Sequence, residues 1–252
     1  MNLARVQLPR SSSRLRFVEV PAQALRPSPG TSLGDSFAWP FRDPEWFSKI
    51  VLMGLIALIP IVGWLQLLGW MLAALDNLRQ GWQVLPPADF RYATRGINLF
   101  AASLIWGLAA AVLIYGSMGL AVFAMLSLTP SSSDGNGTAV FPFIFFPLMF
   151  GVTAAFGLII IALYVFIPPL IVFTDRTGLG GAFNIAGFVH AIRTSPRESV
   201  AAAAIALVSY FISGLGSYLC YVGILFTIPY SLAILAGVLR WYEVNAKPGA
   251  LP

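Results

Sequence analysis

Four long uncharged runs alternate along this chain with shorter stretches that hold the charges. The runs cover residues 50–75, 97–133, 139–174 and 199–239. A helix needs about 20 apolar residues to cross a bilayer, so each run is long enough for one crossing, and the longer ones leave room for a turn or a tilt. The pattern predicts an all-α fold, a polytopic bundle of transmembrane helices.

The breaks within these runs predict about six membrane helices. The first run is interrupted at Pro60, which leaves only about 24 Å of helix before the break and indicates a tilted or re-entrant hairpin. The predicted helices cover residues 44–60, 64–79, 97–126, 141–173, 196–218 and 224–243. Two interfacial segments accompany them: residues 37–46, and an amphipathic helix over residues 180–194.

The basic residues fix a predicted orientation. All fifteen Lys and Arg fall in the terminal regions or in the linkers 76–95 and 175–198. Cytoplasmic loops retain Lys and Arg, so we expect a multi-pass protein of the cell (inner) membrane with both termini in the cytoplasm. Orientation therefore explains the net charge of +5, and no nucleic-acid partner is expected.

Composition supports the lipid bilayer as the main partner of the chain. It is 58% hydrophobic and only 10% charged, whereas soluble domains have about 25% charged residues. Residues 1–36 differ, since they contain five arginines and only two acids. We interpret 1–36 as a disordered cytoplasmic tail, with an organelle transit peptide as the alternative. Residues 37–244 form the transmembrane domain, and 245–252 a short C-terminal tail.

The segment 37–46 mixes aromatic residues, charges and prolines. Arg42 and Trp46 suit the headgroup layer, where such side chains concentrate. Asp43 is expected to cap a helix that begins at Pro44.

Two parts of the chain resemble each other and predict a weak parallel internal repeat. Each consists of an interfacial segment, a helix, a Val-Gly turn, a second helix and an arginine. The matching residues are Val62, Gly63, Gly69, Trp70 and Arg79 in the first unit, and Val222, Gly223, Pro229, Tyr230 and Arg240 in the second.

Several of these motifs resemble one family of prokaryotic membrane proteins, catalogued as DUF4013. The resemblance covers roughly residues 37–243, and it implies an integral membrane protein of unknown function. The residues that carry it are Phe41-Arg42-Asp43-Pro44-Glu45-Trp46, Leu58-Ile59-Pro60-Ile61-Val62, Gly69-Trp70, Leu219-Cys220-Tyr221-x-Gly223 and Pro229-Tyr230.

Candidate chemistry is sparse. Ionisable residues deep in a membrane helix indicate function, but the apolar runs contain none. Asp76 comes nearest, one turn before Arg79, where it is expected to form a helix-end ion pair or to gate a cytoplasmic vestibule. His190 and Cys220 are the only residues of their types, so no catalytic site, cofactor or metal site is predicted.

Small residues suggest close helix packing instead, because glycine lets helix backbones approach. Gly107, Gly116 and Gly119 are expected to do this in the third helix, either within the protein or with a partner. The interfacial and packing candidates of the whole chain are Arg42, Asp43, Pro44, Trp46, Pro60, Gly63, Gly69, Asp76, Arg79, Gly223 and Pro229.

Two hypotheses of function follow. The first is a non-enzymatic scaffold or accessory subunit that packs against another membrane protein or against itself. The second is a transporter or channel for a weakly polar or lipid-like solute. It rests on helices expected to break at Pro60, Pro147, Pro168 and Pro229, since unwound backbone in a membrane can line a cavity.

Overall fold

The computed structural model describes residues 32–128, 137–218 and 222–252, and within these ranges it contains helices, turns and loops but no strand. The all-α prediction is confirmed. The tail before residue 32, the polar turn at 129–136 and Cys220 lie outside the described residues.

The α-helices are α1 Asp35–Ala38, α2 Trp46–Ala57, α3 Val62–Arg79, α4 Ala93–Leu128, α5 Gly137–Tyr164, α6 Ile167–Thr177, α7 Ile185–Thr194, α8 Pro196–Leu215 and α9 Ile224–Asn245. Short 3-10 turns cover Trp39–Arg42, Gly178–Phe183 and Gly216–Tyr218.

Three stretches of the described chain are long and apolar enough to cross a membrane: Ala93–Leu120, Pro196–Tyr218 and Ile224–Asn245. Neither helix of the first hairpin is among them: α2 has 12 residues, about 18 Å of helix, and α3 has 18 residues that include Gln66, Asp76 and Arg79. Lys49, near the start of α2, donates from Nζ to the Leu85 carbonyl in the linker that follows α3 (3.1 Å).

The main core lies where α3 and α9 pack against each other and against α1, α2 and α8. Trp70 and Leu75 of α3 and Ile234 and Tyr242 of α9 are fully buried there. Trp39 is also fully buried, and its indole nitrogen donates to the Ala233 carbonyl on α9 (3.0 Å). The segment before α2 is thus fastened to the centre of the fold.

Some predicted helix ends are wrong. Helix α2 begins at Trp46 and not at Pro44, because the Asp43 carboxylate accepts from the Glu45 amide two residues on (2.9 Å) and forms a turn there. The predicted helix 141–173 is two helices. Pro168 lies in the first turn of α6, where its missing N–H costs no hydrogen bond.

Two predicted proline breaks are also absent. Pro147 lies inside α5 and Pro229 inside α9, and both helices continue through them. At Pro60 the chain does leave the helix, and Ile61 beside it has a φ of 63°. The amphipathic segment divides into a 3-10 turn and α7, whose first turn is capped by Asn184 (2.9 Å to the Gly187 amide).

Helix α4 begins beside the middle of α3, and only its first turns are packed. Leu99 and Ala102 are buried, and Trp106 donates to the Ala182 carbonyl (2.9 Å). Further along, large apolar side chains are exposed, and a Cβ added at Gly107, Gly116 or Gly119 would meet nothing within 4 Å. No close packing at these glycines is therefore found within the described chain, and packing against a partner stays a prediction.

Candidate functional site

Charged side chains gather where the ends of α3, α6 and α9 meet the start of α4. We call this group the ion-pair cluster, and the end of the molecule that holds it the charged end. Its members are Asp76, Arg79, Arg95, Asp175, Arg176, Arg240 and Glu243.

Arg79, the last residue of α3, lies at the centre of the cluster. Its Nη1 donates to Asp175 on α6 (2.7 Å) and to Asp76 one turn earlier (2.9 Å). Its Nε and Nη2 donate to the two carboxylate oxygens of Glu243 on α9 (3.0 and 2.5 Å). The planar guanidinium suits such a two-pronged contact, so this one side chain links three helices.

The remaining arginines surround the same carboxylates. Arg95, at the start of α4, forms one ion pair with Asp175 (3.1 Å) and a second with Asp76 on α3. Arg176 and Arg240 approach Glu243 at 3.1 and 4.0 Å. The four arginines face three carboxylates, so the cluster has one positive charge in excess.

Two of the three acids of the cluster are well shielded from solvent. The side chains of Asp175 and Glu243 are 6% and 3% exposed, and shielded carboxylates are stable only when they are paired and hydrogen-bonded. Burial on its own lowers the pKa of Arg79, but the hydrogen bonds to Glu243 and Asp175 outweigh it and raise that pKa above its ordinary value. Arg79 therefore stays charged, and the cluster acts as a permanent clamp.

A second polar contact fastens the interfacial segment. The Asp43 side chain is 2% exposed. It accepts from Lys49 Nζ (2.8 Å), from the Leu85 amide (2.9 Å) and from the Glu45 amide (2.9 Å). Asp43 therefore joins the entry of α2 to the linker that follows α3, a role beyond the predicted helix cap.

Arg42 and Trp46 lie at the edge of this region. Arg42 donates to Asp35 (3.0 Å) and to Gln83 (2.6 Å). Trp46 packs edge-on against Phe41, with ring centroids 4.7 Å apart. These contacts hold the short helix α1 and the linker after α3 together.

The glycine candidates differ in their surroundings. Gly69 of α3 lies against the Tyr92 carbonyl and the Gly96 amide at the start of α4. Gly63 lies against Ala57 across the first hairpin turn. At both places a Cβ would overlap backbone atoms, so glycine is required for the close approach.

The proline candidates and Gly223 lie elsewhere. Pro44 and Pro60 are exposed, while Pro229 is buried in α9. The Gly223 carbonyl accepts the Thr227 amide (2.9 Å) in the first turn of that helix. The predicted site residues thus divide between the ion-pair cluster, the Asp43 contacts and separate packing positions, and they do not form one site.

Sequence reasoning missed Gln66, which is 1% exposed in α3. Its side chain donates to the Phe90 carbonyl and accepts from the Tyr92 amide (2.9 Å). Trp70, one turn on, donates to the Pro86 carbonyl (3.0 Å). The linker 80–92 therefore runs back along α3 and does not only lie in the interface. The sequence signal that could have identified Gln66 is a side-chain amide within an otherwise apolar helix.

The partners of Arg79 were missed as well. Asp175 and Glu243 each follow the end of an apolar run. This position predicts that both acids lie at the same end of the molecule, but it does not predict that they contact Arg79. Among the described residues, no group of three or more His, Cys, Asp or Glu could hold a metal ion.

An open crevice of about 280 Å³ lies next to the cluster, between α3, α4 and α6. Its lining is mainly polar and includes one arginine and one carboxylate of the cluster. The lining residues are Leu72, Thr94, Arg95, Asn98, Leu99, Thr174 and Asp175.

Comparison with known proteins identifies the family. The model of the family described as "Protein of unknown function (DUF4013)" matches residues 52–239, most of the chain. The chain belongs to the DUF4013 family. The match begins after Trp46, so the segment 41–46, one of the parts that resemble the family, lies outside it. No curated protein and no solved structure matches this DUF4013 member.

Proposed function

We propose that this DUF4013 protein is a multi-pass protein of the cell inner membrane, with the charged end and both termini in the cytoplasm. The support is the ion-pair cluster, since four arginines at one end of the helices fit the retention of basic residues on the cytoplasmic side. In this proposal α2, α3 and the α5–α6 pair join the three candidate spans to give six membrane helices.

Cysteine labelling tests the orientation. In a Cys220→Ser background, Trp82→Cys places a thiol in the linker after α3, where the native side chain is 63% exposed. We expect a membrane-impermeant maleimide to label it only after the cells are permeabilised. Tyr115→Cys on α4 is the control and should stay unlabelled in the lipid. Labelling of Trp82→Cys in intact cells would reverse the orientation.

The proposal includes a parallel repeat of α2–α3 and α8–α9. Each hairpin has an arginine at or near the end of its second helix, and these two residues, Arg79 and Arg240, both approach Glu243. An experimental structure in which one hairpin superposes on the other by rotation about an axis normal to the membrane would support the repeat. Unrelated helix angles would reject it.

The function that the geometry supports best is a non-enzymatic scaffold or accessory subunit. The observation that carries it is the pairing of the cluster: its carboxylates are engaged in linking four helix ends. Groups held in this way serve to fix helix positions.

Helix α4 supplies the surface for the partner, which we take to be a transmembrane helix of another membrane protein. The candidate span Ala93–Leu120 has 28 residues, and only 11% of its most apolar 18-residue segment is buried. Gly116 and Gly119 are three residues apart and exposed there. Each glycine costs a helix about 1 kcal/mol relative to alanine, and close approach of a second helix would offset this cost.

Co-purification in mild detergent tests this role. We expect a membrane protein in stoichiometric amount with the natural chain and with the control Leu120→Ile, whose side chain is 68% exposed on the same helix. Gly116→Ile and Gly119→Ile should lose it. A dimer mass by native mass spectrometry would make the partner a second copy. A strictly monomeric natural chain without any partner would contradict the proposal.

Transport remains the second candidate, and the break at Pro60 favours it. The chain leaves the helix at residues 58–61, and Ile61 has a positive φ. A transport path along this hairpin predicts that cysteines over residues 59–69 react with water-soluble reagents from one side or the other. Lack of reaction at every position would reject a path there.

A further inference from the structure

The crevice between α3, α4 and α6 offers hydrogen-bond donors on one wall and acceptors on another. Thr94 and Asn98 are exposed on α4 one turn apart and can donate. Arg95 contacts two carboxylates through Nη1 and Nη2, and a guanidinium has five N–H donors. Thr174 is 1% exposed and donates its hydroxyl hydrogen to the Leu170 carbonyl (2.7 Å), so the acceptor on this wall is the Asp175 carboxylate.

The charge of this region suits an anion. The carboxylate of Asp175 lines the crevice, but Arg79 and Arg95 both pair with it. The cluster as a whole has one positive charge in excess. The crevice also adjoins the first turn of α4, where amide groups without helical partners and the helix dipole favour a negative charge.

The position of the crevice suits a lipid headgroup. It lies at the start of a candidate membrane span, Ala93–Leu120. Ile105 lies two helical turns beyond Asn98 on the same face of α4, and its side chain is 46% exposed. A ligand with its polar group in the crevice could therefore place an acyl chain along α4.

We infer that the crevice binds an anionic phosphodiester that carries hydroxyl groups. The phosphate accepts from Arg95, Asn98 and Thr94, and the hydroxyl groups donate to Asp175. Phosphatidylglycerol has this chemistry in its headgroup, and a soluble glycerophosphodiester has it without the acyl chains. The inference is independent of the scaffold proposal, because it needs no protein partner.

Native mass spectrometry of the full chain in mild detergent tests the site. Phosphatidylglycerol is titrated against phosphatidylcholine, whose headgroup carries a trimethylammonium group and no hydroxyl. We expect bound phosphatidylglycerol to be preferred about tenfold, and Thr94→Val and Asn98→Ala each to weaken it about fivefold, as for one lost hydrogen bond. Arg91→Gln is the control, since Arg91 is a charged residue near the same end and outside the crevice.

The outcomes separate the two sources of the ligand. If glycerophosphoglycerol displaces the lipid with the same dependence on Thr94 and Asn98, the site takes a soluble phosphodiester. If only the intact lipid binds with that dependence, the ligand is a membrane lipid. Equal binding of both lipids, or equal binding by variants whose unfolding temperature is unchanged, would overturn the inference.

Discussion

The crossing of α3 and α4 permits a quantitative test through Gly96. A Cβ at this position would overlap the Leu65 carbonyl oxygen and lie 2.8 Å from the Gly69 amide nitrogen. Both neighbours are backbone atoms, so neither can move aside without shifting a helix. Overpacking of this kind costs about 1–3 kcal/mol, and rigid neighbours place Gly96→Ala towards the upper value.

Gly107→Ala in the same helix is the matched control. Nothing lies within 4 Å of a Cβ there, so it should receive only the gain of about 1 kcal/mol that alanine has over glycine in a helix. Gly96→Ala receives the same gain, which cancels in the comparison. The two variants should therefore differ by about 1–3 kcal/mol, the strain alone.

Thermal unfolding in detergent, followed by tryptophan fluorescence, measures this difference. At about 2–4 °C per kcal/mol for a chain of this size, Gly96→Ala should unfold several degrees below Gly107→Ala. The natural chain should lie between them. Equal unfolding temperatures for the two variants would show that α3 and α4 do not meet at this glycine pair.

Two further predictions concern polar contacts. Arg79→Met leaves shielded carboxylates with fewer partners, so we expect a loss of about 3 kcal/mol, the lower end for a broken buried pair because Arg79 is 24% exposed and other arginines remain. The exposed Arg91→Met should leave the unfolding temperature unchanged, and equal effects of both would refute the clamp. Gln66→Leu removes the partners of the Phe90 carbonyl and the Tyr92 amide, at about 1–3 kcal/mol for each group left unsatisfied. Hydrogen exchange at the Tyr92 amide should become faster in this variant, and unchanged exchange would show that Gln66 does not hold the linker.

The pattern of apolar runs was sufficient to predict most helices. Helix α8 begins at Pro196 and α9 at Ile224, as expected, because a proline at a helix start and a run of about 20 apolar residues are local signals. Local signals did not predict the start of α2, because the Asp43 carboxylate has partners from other parts of the chain. Asp43 was predicted to cap a helix at Pro44, but its carboxylate binds Lys49 and Leu85, and α2 begins later.

The prediction of helix breaks from proline had a similar limit. Pro229 was expected to break a helix, yet α9 continues through it, because packing against α2, α3 and α8 supports the helix on several sides. Gly69 and Gly107 illustrate the same point for glycine. Both are small residues in apolar helices, but only Gly69 meets a neighbouring backbone, and the sequence does not distinguish them.

By itself, then, the sequence determined the all-helical class and the grouping of charges between apolar runs, since both follow from which residues lipid and water accept. Only the tertiary structure decided which charges meet. Asp76, Asp175 and Glu243 are far apart along the chain, and they share Arg79 because three helices end at the same place. The crevice beside them exists for the same reason: its walls come from α3, α4 and α6, whose relative positions depend on packing between distant residues.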